Sequence, residues 1–260
     1  MVAREGGRFA FVAFMLLSAV LYQCYNKVKS GTRPYFRQLP GLEGLEEAIG
    51  RAAEMGRPVH FTPGSDGFSS GTAGQTLAAA ICLSHVAGLC AKYDVRLLVS
   101  NRRSEVQPLT EEIVKQAYLS AGKIDSFRAT DIRFFSDDQF AYASSVIGML
   151  SGEKTASNIM LGGYYAESLM FAEAGATYGN IQIAGTASVA QIPFFVTTCD
   201  YVLIGEELYA AAAILSEDPA QVSTLMMQDL VRVVIVGVLI IGAIGISFGS
   251  SVLKDLILKW

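Results

Sequence analysis

The chain is 260 residues long, 52% hydrophobic and 17% charged, with a formal net charge of −4 and a mean hydropathy of +0.38. That is too apolar for an ordinary soluble domain of this length, and the excess must be placed somewhere. Residues 30–229 hold 13 basic and 22 acidic side chains and the flanks 7 and 2, so the middle of the chain lacks the basic face that nucleic acid requires.

In chain order, the first apolar run is FAFVAFMLLSAVLYQCY, residues 9–25, without a charge. It reads as a membrane helix at the short end of the usual length, and SAVLYQ offers no small-x-small cleavage site, so an uncleaved anchor is expected. Arg4 and Arg8 precede it, while Lys27, Lys29, Arg33 and Arg37 follow it. This asymmetry places the centre of the chain in the cytoplasm of a cell-membrane protein. Residues 26–40, broken by Gly31, Pro34 and Pro40, read as a linker. Residues 41–216 read as one α/β domain. It opens with a helix whose apolar positions are Leu42, Leu45, Ala48, Ile49 and Ala52, stopped at Gly56.

Short apolar runs then alternate with helical segments. The runs are 58–62, 95–100, 131–136, 157–162, 180–185 and 200–205; the helices fall near 72–92, 106–121, 137–151, 164–175, 188–198 and 206–216. Alternation of this kind predicts βαβ units and a doubly wound, Rossmann-like, mostly parallel sheet of about six strands. Residues 217–229 read as a connection. A second uncharged run, residues 233–253 within a span of 230–253, reads as a second membrane helix. Gly242, Gly245 and Gly249 share one face of it, a packing surface for the first helix or for another subunit. The expected partners are therefore membrane lipid and either a second copy of the chain or a membrane complex, with no nucleic acid.

In an open parallel sheet, ligands bind outside the carboxyl ends of the strands. The candidate ligand-binding residues are those that follow each run: Gly64, Ser65, Asp66 and Gly67 in HFTPGSDGFSSGTAGQT; Asn101 and Arg102 in SNRRSE; Asp137 and Asp138 in SDDQ; Tyr164 and Glu167; Thr186; and Glu206. The glycines of the first loop match neither G-x-G-x-x-G nor a P-loop, and Asp66 would repel a phosphate. The loop therefore reads first as a turn that lets a helix lie close to the sheet, and second as an anion site at a helix terminus. SDDQ reads as a capping box with Ser136 at the N-cap and Gln139 three residues on. The sharper alternative joins Asp137 or Asp138 with Glu167 and Glu206 into a carboxylate site for Mg²⁺.

Catalytic machinery is sparse. His60 and His85 fall inside a strand and an apolar helix, and no G-x-S-x-G elbow occurs. The cysteines, Cys24, Cys82, Cys90 and Cys199, form no C-x-x-C and suit buried thiols in a reducing compartment. No catalytic residue, resident metal or cofactor is assigned.

The stretches RPVHFTPG, GQTLA, SDDQFAYA, YYAES, IQIAGTASVAQIPFF and CDYVLIGEELYAA together resemble a family of uncharacterised membrane-anchored bacterial and archaeal proteins that carry one domain of unknown function. The resemblance implies the anchors and the domain boundaries, and no activity. The favoured expectation is a membrane-anchored small-ligand-binding or scaffold protein. The alternatives are a carboxylate- or Mg-dependent enzyme on a small anionic or nucleotide-like substrate, and an accessory subunit of a membrane transporter.

Overall fold

A computed structural model describes residues 7–31 and 39–247. The chain divides into two units, residues 37–216 and residues 1–36 with 217–260. In the second of these, α1 (Gly7–Lys29) and α9 (Pro219–Ser247) pack against each other. Helix α1 runs past the apolar stretch into the residues read as a linker. Helix α9 begins well inside the stretch read as a connection. The reason is local: the Asp218 carboxylate accepts from Ala220 N at 3.0 Å and Pro219 supplies a helical φ at the first position, so the chain turns helical there. Of the glycine face, Gly242 lies in α9, nothing is described of the surroundings of Gly245, and Gly249 lies outside the described residues.

The α/β unit contains β1 (Val59–Thr62), β2 (Leu97–Asn101), β3 (Ile132–Phe134), β4 (Ser157–Leu161), β5 (Ile181–Thr186) and β6 (Tyr201–Ile204). Between and around them run α2 (Pro40–Met55), α3 (Ala73–Lys92), α4 (Gln107–Ser120), α5 (Gln139–Glu153), α6 (Glu167–Thr177), α7 (Ile192–Thr198) and α8 (Glu207–Ser216). All strand pairs are parallel, in the order β3-β2-β1-β4-β5-β6. This is the doubly wound order, with the chain reversing direction across the sheet between β1 and β4. The Rossmann-like class and the six strands read from the sequence are the ones observed.

Helices on both faces make β1, β2 and β4 buried at every position. One face carries Val59, Phe61, Val99, Ile159, Leu161 and Ile183 against α2, α3, α4 and α8. The other carries Met160 and Ala184 against Tyr142, Phe171 and Phe195 of α5, α6 and α7. Among the described residues three helices are long and apolar enough to cross a membrane: Ala10–Lys29, Ala73–Lys92 and Pro219–Ile244. The middle one is α3, whose Ala79, Cys82, Leu83 and Val86 fill the core, so its hydropathy is accounted for by burial.

Beneath α5 and α6 the second face is unexpectedly polar. His60 Nδ1 donates to Asn158 Oδ1 at 2.7 Å, and its Nε2 lies 2.8 Å from Ser100 Oγ. Asn158 Nδ2 donates to Gln182 Oε1 at 3.3 Å, which fixes the amide orientation; the imidazole is therefore protonated at Nδ1 and accepts at Nε2 from the serine hydroxyl. The Tyr142 hydroxyl joins Ser100 Oγ at 3.1 Å and Thr62 Oγ1 at 2.8 Å. The belt thus spans β2, β1, β4 and β5, and His60 is the satisfied interior histidine that its position in a strand implied. Tyr142→Phe is expected to cost about 1–2 kcal/mol, because it strands the two hydroxyls it served. Urea denaturation of the detergent-solubilised chain measures it, and an unchanged midpoint would show that the belt adds nothing.

Candidate functional site

At the topological switch point the loops after β1 and β4 meet backbone to backbone. Ser65 N donates to Gly163 O at 2.8 Å. Gly64 has φ +95, and a Cβ there would stand 2.8 Å from Gly163 N and O; Gly162 has φ +131, and a Cβ there would fall on the Pro63 carbonyl. Only glycine satisfies both the backbone conformation and the approach. The close approach at the first loop is therefore loop against loop, where the first reading had a helix against the sheet, and the chain's own backbone lies in the crevice between β1 and β4.

Asp66 follows in the chain. It is 3% exposed, accepts from the Tyr165 hydroxyl at 2.9 Å through Oδ1 and from Thr72 Oγ1 through Oδ2. The bond to Asp66, reinforced by burial, raises the Tyr165 phenol above its usual range. Glu167 is fully buried; it accepts from Gln139 Nε2 and, at 3.2 Å, from Tyr165 N. Tyr164 is a core residue, donating to Thr62 O at 3.1 Å and meeting Phe195 edge-on at 5.4 Å. Burial pushes its phenol well up and pushes Tyr142 up to about 12. Thr186 Oγ1 donates to Gln75 Oε1 at 3.2 Å, tying the β5 loop to the first turn of α3.

Open space is found to one side of the switch point, over the ends of β1, β2 and β3. A cleft of about 460 Å³ is lined by Gly67, Ser69 and Ser70 of the first loop, Arg103, Ser104 and Glu105 of the second, and Asp137 of the third. Arg102 lies behind it, 9% exposed, donating from Nε to Asp137 O at 3.1 Å and from Nη1 to Ser65 O at 3.3 Å. Glu105 Oε1 accepts from Phe68 N at 2.8 Å and holds the first loop in place; Arg103 reaches Asp137 at 3.7 Å. Sequence reasoning singled out Gly67, Arg102 and Asp137. It missed Ser69, Ser70, Ser104 and Glu105, which only the pairing of β1 with β2 brings face to face.

The carboxylates proposed as a cation site are not brought together. Asp137 and Asp138 follow β3 and Glu206 follows β6, at opposite edges of the sheet, about 24 Å apart at five strand spacings. Among the described residues no group of three His, Cys, Asp or Glu side chains is placed to hold a metal. Asp138 is the N-cap of α5, accepting from Phe140 N at 3.1 Å and Ala141 N at 2.8 Å. The capping box read from SDDQ is corrected accordingly: Ser136 stands two residues earlier and accepts from Asp138 N, and Gln139 turns to Glu167 instead of back to the cap. The four cysteines are unpaired; burial pushes Cys82 and Cys199 up to about 12 and Cys90 higher, so these three thiols stay protonated at neutral pH.

A six-stranded, all-parallel doubly wound sheet with loops gathered at its carboxyl edge, in a chain bearing apolar N- and C-terminal helices, defines a Rossmann-like α/β protein. The chain belongs to the family described as Domain of unknown function (DUF6754), which it matches over residues 4–257. No curated protein and no solved structure matches it.

Proposed function

We propose that this is a membrane-anchored protein whose cytoplasmic α/β unit binds a small polar ligand in the cleft between the β1–α3 and β2–α4 loops. The cleft carries the proposal: it stands at the carboxyl edge of the sheet, of a size for a small molecule, and is edged by hydroxyls and one arginine. Its acids are engaged with the protein, which favours recognition over acid–base chemistry. Helices α1 and α9 are the two spans in this reading, oriented by the basic residues that follow the first of them.

Mass spectrometry of the detergent-purified chain tests the binding. A small molecule should be retained by the native protein, and Arg103→Ala should lower its occupancy at least tenfold while leaving the thermal midpoint unchanged. Retention equal in the variant and the parent would remove the cleft as the site.

A further inference from the structure

The two helical layers of the α/β unit differ in what they show to solvent. On one face of the sheet, α2 and α4 expose charged side chains, among them Glu43, Glu47, Arg51, Glu112 and Lys115. On the other face, α5, α6 and α7 expose very little charge. Residues 139–152 and 187–197 contain no charged side chain, and residues 163–173 contain only Glu167, which is fully buried, and Glu173. In place of charge stand Phe140, Tyr165, Leu169, Val189, Phe194 and Val196, all in contact with solvent, Phe140 at 62% and Val189 at 80%. Single exposed apolar residues are ordinary, but an uncharged field that carries aromatic side chains has the composition of an interface core.

The field runs across neighbouring helices. α5 packs beside α6, and α6 beside α7. Their starts are tied together: Gln139 Nε2 donates to Glu167, and Ser168 Oγ donates to Gln191 Oε1 at 2.7 Å. The relief is uneven. After Phe140, α5 turns outward only small residues, Ala141, Ser144, Gly148 and Ser151, and a Cβ at Gly148 would meet nothing within 4 Å. The bulky Val189, Phe194 and Val196 stand on α7 and the loop before it.

Charge and relief together select the occupant. Residues 30–229 hold 13 basic and 22 acidic side chains, so two copies repel one another except where charge is missing. An anionic lipid surface attracts basic residues, and these three segments contain no Lys or Arg. A two-fold axis along α6 sets the bulky side chains of α7 in each copy over the low residues of α5 in the other, which is the self-complementarity a homodimer requires. About two dozen residues of the layer reach solvent, in line with the roughly 20–30 that a standard interface takes from each partner.

We infer that the α5–α6–α7 layer pairs with the same layer of a second copy of this chain, α7 of each against α5 of the other. Glu173 lies on α6, near the axis, where it opposes the Glu173 of the second copy and loosens the pair. The interface is independent of the cleft and stands whether or not a ligand binds there.

The test is light scattering on the detergent-purified full chain over a range of dilution. The parent should contain two chains of 27.8 kDa at high concentration and dissociate on dilution. Val189→Glu, at a loop position that the fold leaves exposed, should raise the dissociation constant at least tenfold. Gly148→Gln should do the same without adding charge; it places a good helix former where there is room, so the helical circular dichroism should hold. Glu173→Gln should lower the dissociation constant. A second measurement asks whether lipid covers the layer instead. In liposomes, the emission of a chain carrying Trp260→Phe and Val189→Trp should be unaffected by brominated lipid.

A monomeric parent, a dimer that survives Val189→Glu and Gly148→Gln, or one that Glu173→Gln loosens overturns the inference. Quenching by brominated lipid overturns it as well and assigns the layer to the membrane.

Discussion

Gly162→Ala is expected to destabilise the α/β unit by about 4 kcal/mol, near the upper end of what single substitutions cost. Two penalties combine. Gly162 has φ +131, a region that L-residues avoid, and the new methyl would fall on the Pro63 carbonyl and lie 3.1 Å from Gly64 Cα. Those neighbours are backbone, pinned by the Ser65 N bond to Gly163 O, so they cannot swing aside as a side chain would. Gly122→Ala is the control: it has φ +69 with nothing within 4 Å of the added methyl, so it carries backbone strain alone and should cost about 1–2 kcal/mol. Denaturant unfolding of both variants measures the difference. Equal losses would mean that the contact between the loops after β1 and β4 contributes no more than a strained φ.

The second large effect is a loss of stability in acid that depends on His60. Complete burial lowers this imidazole from 6.5 to about 4, only partly opposed by its bond to Asn158. In the unfolded chain it takes up a proton near pH 6.5, whereas in the folded chain it does so only near pH 4. The unfolded state therefore binds more protons throughout that interval, and stability falls as the pH is lowered through it. The contribution is level above pH 6.5 and shrinks by about 3 kcal/mol by pH 4, at 1.36 kcal/mol per unit.

Other groups tilt the curve the same way. Burial lowers His85, and Glu153, whose burial is outweighed by its bonds to Arg96 and Arg133, is held below the usual carboxylate range. The informative quantity is thus the difference between the parent and His60→Gln, in which an amide replaces the ring without titrating. Parent stability minus variant stability should decline between pH 6.5 and pH 4 and stay constant above. A difference independent of pH would place the His60 pKa near its ordinary value and contradict the burial argument.

These two expectations mark where sequence reading reached and where it stopped. The positions of His60 in a run of apolar residues and of Gly64 beside a proline were open to inspection, and each was read correctly as interior and as turn. What each touches was not. Asn158 lies 98 residues from His60, and Gly162 is brought to Pro63 only because β1 and β4 are neighbours. The same distinction governs the SDDQ segment. Capping by a nearby side chain was foreseen, but the cap is Asp138 and not Ser136, and the partner of Gln139 is Glu167 of another helix.

The sequence by itself determined the six strands, the helices between them, the parallel doubly wound class and the two apolar terminal helices. Those features rest on periodicity and on residues a few positions apart, and local patterns encode them without knowledge of the remainder. Only the tertiary structure decided which strand ends adjoin. Strand order put Glu206 at the far edge from Asp137 and Asp138, placed glycine backbone in the crevice between β1 and β4, and opened a cleft above β1, β2 and β3. The physical reason is that a ligand site depends on distances between loops, and those distances are set by side-chain packing across the whole sheet.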